Sequence, residues 1–314
     1  MTTATSPTID RRALVAAGIT VVLWASAFVG IRDVADTFSP GPIALGRLTV
    51  AVLVMGPLLL TQGWKPLTRR TLVQIVASGL LWYGLYFVTL NEAERHVDAG
   101  TASMLVNTGP IFVVVFAVLF LREAMPRRLL LGLAVAFAGA IVVGIATSSG
   151  AAGTATSTFG IVLCLVAAMC YAAGVTLQKP ASAVVPALQL TWLACLTACI
   201  ACLPFAPQLI SEVAVAPLPK IGWIVYLGLF PTAIGFTTWA YALRRTPAGR
   251  LGATTYLVPP VVIGMAWLLL GEVPPLLAIV GGAICVAGVI IVRTPALRLP
   301  GRSRIVESSS PAAD

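Results

Sequence analysis

Charge is scarce in this 314-residue chain: only 10% of its residues are Asp, Glu, Lys or Arg, where a soluble domain carries roughly 25% to keep its surface hydrated. Histidine is scarcer still. His96 stands alone, in a predicted loop with Glu92, Glu94 and Asp98, and reads as a solvated loop residue rather than a metal ligand. An intramembrane enzyme would need a metal cluster, a Ser/His dyad or paired aspartates within its helices, and none is present. No Walker motif is found, which argues against ATP hydrolysis by this chain. No Asp or Glu lies in the middle of an apolar run, so a buried-carboxylate proton relay is missing too. The six cysteines (Cys164, Cys170, Cys195, Cys199, Cys202 and Cys285) have no histidine or carboxylate for company. Cys199 and Cys202 form a C-x-x-C with Cys195 one turn earlier, best read as small helix-packing residues. Neither a metal nor a cofactor is expected.

What the chain has instead is hydrocarbon. Hydrophobic residues make up 59% of it, and its mean hydropathy is +0.98. Apolar runs of about 17 to 22 residues, each long enough to cross ~30 Å of bilayer as a helix, fall near 13–31, 42–61, 71–90, 99–120, 129–146, 159–178, 187–205, 221–243, 251–270 and 276–292. Ten spans leave no room for a separate catalytic domain. The fold expected is all-α and multi-pass, with the lipid bilayer as its first partner.

The net charge of +9 would suit nucleic acid, but its distribution argues otherwise. With the N-terminus in the cytoplasm, the inner loops collect Arg11, Arg12, Lys65, Arg69, Arg70, Arg122, Arg127, Arg128, Lys179, Arg244, Arg245, Arg250 and the arginines of the tail. The outer loops keep only Arg32, Arg95 and Lys220. This is the positive-inside rule. It predicts a cell-membrane protein with both termini cytoplasmic and no nucleic-acid partner. The first span continues past Trp24–Ala27, so it reads as an uncleaved helix rather than a signal peptide.

The chain also contains its own second half. Ala99-Gly100, Pro110, Ala117, Leu119, Glu123, Pro126, Gly132, Ala138-Gly139 and Ile141 recur 149 residues later as Ala248-Gly249, Pro259, Ala266, Leu268, Glu272, Pro275, Gly281, Ala287-Gly288 and Ile290. Gly79, Phe87 and Ala93 match Gly228, Phe236 and Ala242 at that spacing. Trp24 with Arg32 matches Tyr171 with Lys179 more loosely, and Pro40 matches Pro186. Five spans per half is an odd number, so the second half must enter from the other side, the inverted-repeat architecture of many secondary transporters. The expected units are 13–146 and 159–293, joined by a Gly/Ser/Thr linker at 147–158 and followed by a disordered cytoplasmic tail at 294–314.

Trp-Ala-Ser-Ala-Phe at 24–28, Ser39-Pro40 followed by Arg47, and the Ala-Gly, Pro and Glu pattern closing each repeat resemble the EamA family of the drug/metabolite transporter superfamily. The resemblance covers nearly the whole chain. It implies ten helices, cytoplasmic termini and a central substrate cavity between the halves, in proteins that move amino acids, sugars, nucleosides, vitamins or drugs. The second half departs from the first: Leu193 falls in the slot of Arg47, and Tyr171 in that of Trp24.

Candidate site residues follow from cost. Pro110 and Pro259 interrupt spans four and nine at one repeat position. Proline frees a backbone carbonyl at mid-membrane, which substrate, water or a neighbouring helix must then satisfy. Asn107 and Tyr256, equivalent under the 149-residue spacing, add polar groups at that depth. Trp24, Tyr83, Tyr86, Tyr171 and Trp239 lie deep enough that an unpaired hydroxyl or indole N–H would be costly in lipid, so they line a cavity or pack between helices. Trp64, Trp223 and Tyr226 read as interfacial anchors. Arg47, the one formal charge well inside a span, is either a docking charge for a substrate carboxylate or carbonyl or a structural tie to Asp36, Glu272 or helix-end carbonyls. Glu123 and Glu272 each precede a proline by three residues and read as caps of the helix that follows. The small residues of spans five and ten suit close helix packing.

The function expected is a secondary transporter that moves a small organic, amino acid-like or drug-like metabolite by alternating access, with export the direction that the resemblance implies. An intramembrane enzyme and a non-transporting sensor or scaffold are the alternatives.

Overall fold

The computed structural model describes residues 10–93, 95–96, 105–148, 157–270 and 276–293, and among them no strand occurs. Asp10 opens α1 (Arg11–Val34) by accepting the N–H groups of Arg12 and Ala13, as an N-cap should. Pro40 starts α2 (Pro40–Gln62) in its first turn, where the missing N–H costs nothing. Helix α3 (Arg69–Ala93) is capped by Thr68 and carries a π-helical stretch at Gly79–Leu85. Then come α4 (Gly109–Leu121), α5 (Arg127–Ser148) and α6 (Thr158–Val184). Helix α7 (Ala187–Val215) has a 3-10 turn at Leu203–Phe205, and α8 (Leu218–Arg245) has a second π-helical stretch at Gly228–Ile234. Helix α9 spans 248–270 with a 3-10 turn at Thr254–Leu257, and α10 is Leu276–Arg293.

Seven of these helices (α1, α2, α3 and α5 to α8) are long and apolar enough to cross a membrane, with Gly109–Leu121 and Leu276–Val292 as shorter apolar helices. Their outer faces are as oily as their inner ones. Leu60, Leu119 and Phe120 are exposed, whereas the buried side is rich in alanine and glycine. Without a hydrophobic contrast between lipid and protein, close contact through small residues is what joins the helices.

Two sequence expectations are corrected here. Span four is not one helix from residue 99. Residues 99–104 lie outside the described residues, Asn107 and Thr108 form a turn, and α4 begins at Gly109 with Pro110 in its first turn. Span seven does not stop near residue 205, because Pro204 and Pro207 each open a new helical segment rather than breaking one. The linker at 149–156, the tail at 294–314, and Glu272 with Pro275 all fall outside the described residues.

The tightest contact joins α5 to α10. A Cβ on Gly132 would come 2.6 Å from the Gly288 carbonyl oxygen, and one on Gly288 would come 2.6 Å from that of Gly132. Gly139 and Gly281 face each other in the same way, at 2.7 and 2.9 Å. Between these pairs, Cys285 Sγ donates to the Ala136 carbonyl at 3.4 Å, from a residue 149 positions away. The contacts are reciprocal under that spacing, since Gly132 corresponds to Gly281 and Gly139 to Gly288.

The same reciprocity recurs in the interior. Gly79 lies against the Ala194 carbonyl and Gly228 against the Arg47 carbonyl, so close that a Cβ on either glycine would come 2.7 Å from the facing oxygen. Ala194, rather than Leu193, therefore sits in the place of Arg47. Phe87 meets its own counterpart Phe236 with ring centroids 5.9 Å apart.

Candidate functional site

The π-helical stretch of α3 brings Trp82 and Tyr83 inward, both fully buried; such local widenings of a helix are frequent at functional sites. Trp82 is the hub of an aromatic cluster. Its ring lies 5.9 Å from Trp24, 5.3 Å from Tyr171, 5.0 Å from Phe236 and 5.6 Å from Trp239. Trp24 stacks on Trp239 at 5.0 Å, and Tyr83 packs on Phe236 at 4.3 Å. Tyr86 reaches Tyr171 at 6.5 Å. Glycines make the room. The Trp82 side chain occupies the space where Gly174 lacks a Cβ, and a Cβ on Gly109 would come 2.6 Å from the Tyr171 ring. Helices α1, α3, α6 and α8 thus converge on one set of rings, which fills the space between them.

The polar edges of these rings are the unusual part. Tyr83 Oη accepts a hydrogen bond from Gln178 Nε2 at 3.0 Å. The indole N–H groups of Trp24 and Trp239 are buried with no hydrogen-bond partner among the described residues, as is the Tyr171 hydroxyl, which has Thr255 as a polar neighbour. Each unmet donor of this kind costs about 1–3 kcal/mol. Three close together mark a place where a polar group from elsewhere would be stabilised.

Of the residues singled out in the sequence, Trp24, Tyr83, Tyr86, Tyr171 and Trp239 come together here. Tyr256 does not join them. It packs on Phe137 at 6.4 Å in a separate cluster with Ala136 and Cys285, because α9 turns its 3-10 segment toward α5 and α10. Its hydroxyl is also unpartnered. Asn107 is half-buried in the turn before α4. The helix breaks do precede Pro110 and Pro259, but threonines serve some of the nearby carbonyls. Thr108 donates to Leu105 O (2.7 Å), Thr254 to Leu251 O (2.5 Å) and Thr255 to Gly252 O (2.8 Å), a common remedy in membrane helices.

Arg47 is buried, with 3% of its surface exposed. Its Nε donates to Thr232 Oγ1 at 2.9 Å, and its Cζ lies 4.1 Å from the Phe87 ring centroid. Thr232 sits in the π-helical stretch of α8 and donates in turn to Leu227 O at 2.7 Å. The tie to Asp36 anticipated from sequence is absent. Asp36 pairs with Lys220 at 3.2 Å, and its carboxyl is held below the usual range by the Thr37 hydroxyl first and then by Lys220.

Glu123 caps a helix, but not the one that follows it. Arg122 ends α4 in the left-handed region (φ 54°), and this turn swings Glu123 toward α9. There it accepts the N–H groups of Ala248 (2.9 Å) and Gly249 (3.4 Å). Lys179 of α6 holds the other side of the same turn by donating to Leu243 O (2.5 Å) and Thr246 O (2.6 Å). An anion at the start of α9 and a cation at the end of α8 each complement a helix dipole. Together they clamp residues 243–249.

Elsewhere, His96 bonds Glu92 at 2.9 Å on the surface, and no disulfide joins any of the six cysteines. A cleft of about 520 Å³ lies at the basic end of α1, lined by Arg11, Arg12, Ile19, Thr238 and Tyr241. The sequence reading missed the roles of Phe87, Phe236, Thr232 and Lys179. The repeat pairing of Phe87 with Phe236 was the one available signal.

A model of the EamA-like transporter family matches the chain twice, over residues 11–145 and 158–294. The chain is 39% identical to a "probable terminal-alkyne amino-acid exporter" of Streptantibioticus cattleyicolor, over 93% of this chain and 95% of the relative. It is 26% identical to a pseudopaline exporter of Pseudomonas aeruginosa (83% and 88%) and 25% identical to a "probable amino-acid metabolite efflux pump" of Salmonella typhimurium (87% and 92%). A solved crystal structure shares the fold with a TM-score of 0.72 at 17% identity, covering 90% of this chain and 96% of that one.

Proposed function

This chain belongs to the EamA-like transporter family, and we propose that it exports a small amino acid-like metabolite across the cell membrane by alternating access. In this reading the chain spans the membrane ten times as two inverted five-helix repeats, 13–146 and 159–293, with both termini in the cytoplasm. The segregation of Lys and Arg supports the orientation, and the reciprocal glycine contacts of α5 with α10 support the inverted repeat. The names of the relatives supply the substrate class.

The observation that carries the reading is the aromatic cluster with its unmet Trp24, Trp239 and Tyr171 donors, at the junction where Phe87 of one half meets Phe236 of the other. Rings offer surface to an apolar side chain, and unmet donors offer anchors to polar atoms. The clamp of Glu123 and Lys179 on residues 243–249 is the cytoplasmic closure in this account. It consists of a few charge-assisted bonds, each worth about 1.5–3 kcal/mol, a scale suited to an equilibrium between two states.

The test is counterflow of radiolabelled L-2-aminopent-4-ynoate, a simple terminal-alkyne amino acid, together with a panel of apolar amino acids, in proteoliposomes. Saturable counterflow of at least one, lost in Trp82→Ala, is the expected result. No flux above empty liposomes for any would overturn the amino acid-like substrate.

A further inference from the structure

We propose that the Arg47 guanidinium is the docking point for the substrate's carboxylate, an inference that rests on the aromatic cluster being the substrate site. Two faces of this guanidinium are committed. Nε is on Thr232 and the ring of Phe87 covers the plane. The terminal nitrogens Nη1 and Nη2 have no acceptor among the described residues, and no carboxylate there lies within ion-pair distance of Arg47. A guanidinium held in this way presents its fork, the geometry that matches a carboxylate with two parallel hydrogen bonds.

Two of the described acids, Asp36 and Glu212, are engaged elsewhere. Asp36 is on Lys220, and Glu212 accepts the Ser39 N–H at 3.0 Å and bonds Gln208. A buried arginine with no anion among the described residues is poorly compensated by one hydroxyl and one ring, so an anion that arrives from outside is strongly favoured at this position.

Position and asymmetry define the ligand further. Phe87 links Arg47 to the cluster, since it touches Phe236, which packs on Trp24, Trp82 and Tyr83. A molecule with its carboxylate on Arg47 would therefore extend its apolar part toward these rings. The counterpart of Arg47 in the other half is Ala194, which carries no charge. One carboxylate site, not two, is built into the fold, and a bound amino acid has one orientation.

The test is binding to purified protein, followed through tryptophan fluorescence of the cluster. The probes are L-2-aminopent-4-ynoate, its methyl ester and but-3-yn-1-amine, which lacks the carboxyl group. Wild type is expected to prefer the acid by at least about tenfold over both. Arg47→Met should lose that preference through weaker binding of the acid, with ester and amine affinities unchanged. Arg47→Lys, which keeps the charge but not the fork, should retain part of it. Equal affinity of wild type for acid and ester would overturn the docking role even if neither variant folds. So would an undiminished acid preference in a folded Arg47→Met or Arg47→Lys protein. Failure of wild type to bind all three probes would instead remove the amino acid-like substrate class on which the inference rests.

Discussion

Two interfaces join the sequence-related halves of this protein, and they are built on opposite principles. Between α5 and α10, equivalent residues meet equivalent residues. Gly132 faces Gly288, Gly139 faces Gly281, and Cys285 bonds the carbonyl of its counterpart Ala136. Around Trp82 the backbone remains matched, as the two π-helical stretches at one repeat position attest, while the side chains diverge. Trp24 stands opposite Tyr171, Arg47 opposite Ala194, and Tyr83 opposite Thr232. Beside the first interface the unmet group is the Tyr256 hydroxyl. The second holds a buried arginine and three donors that are unmet, the arginine having no carboxylate partner among the described residues. Symmetric packing suffices to hold helices together, whereas recognising an asymmetric molecule requires that symmetry be broken. The chain breaks it in one region.

The comparison is tested most severely by Trp239→Ala. Truncation of a buried Trp costs about 3–5 kcal/mol, and counterflow should disappear even at temperatures where the variant stays monodisperse. A folded Trp239→Ala protein with wild-type flux would break the distinction between the interfaces. Gly139→Val should act on stability alone. Overpacking against α10 costs about 1–3 kcal/mol, read as a lower melting temperature in detergent, while the apparent affinity for substrate is unchanged.

Glu123→Ala should cost about 2 kcal/mol, the upper end for a cap and within the range for a charged acceptor, and Glu123→Gln less, because its carbonyl oxygen still accepts from the start of α9. If the clamp is the cytoplasmic closure, both variants shift accessibility, and a cysteine at Arg245 becomes more reactive in a cysteine-free background. Unchanged labelling with a lowered melting temperature would make the clamp purely structural. The smallest effect is expected at Tyr256→Phe. Removal of an unpartnered hydroxyl should leave stability equal or raised by about 1 kcal/mol, with affinity unaltered. A several-fold loss of affinity would extend the site toward α9.

What was legible in the sequence was local or periodic. Apolar runs located the helices, and the repeat was visible as spaced identities. Depth in the membrane picked out Trp24, Tyr83, Tyr86, Tyr171 and Trp239, because a polar ring edge has few places to go in lipid. What was not legible depends on distant pairing. Glu123 meets Ala248 from 125 positions away, and Arg47 meets Thr232 from 185. A carboxylate before a proline suggested a cap on the next helix, and only the left-handed turn at Arg122 redirects it. Tyr256 shared a repeat position and a depth with Asn107, yet the 3-10 turn of α9 rotates it toward Phe137. The π-helical stretches left only a faint signal, since both open on the repeat-matched glycines Gly79 and Gly228 but only the second contains a proline, Pro231.

The central claim is that the aromatic cluster, and not the glycine seam, holds the substrate. Its most direct test is the apparent affinity for L-2-aminopent-4-ynoate in proteoliposomes containing equal amounts of wild type, Trp24→Phe with Trp239→Phe, or Gly139→Ala. The double variant keeps two rings and removes two unmet N–H donors, each worth about 0.5–1.5 kcal/mol once bonded. A rise of about fivefold or more in apparent KM is expected for it, with Gly139→Ala at the wild-type value. An unchanged KM in the folded double variant, with an altered one in Gly139→Ala, would contradict the account.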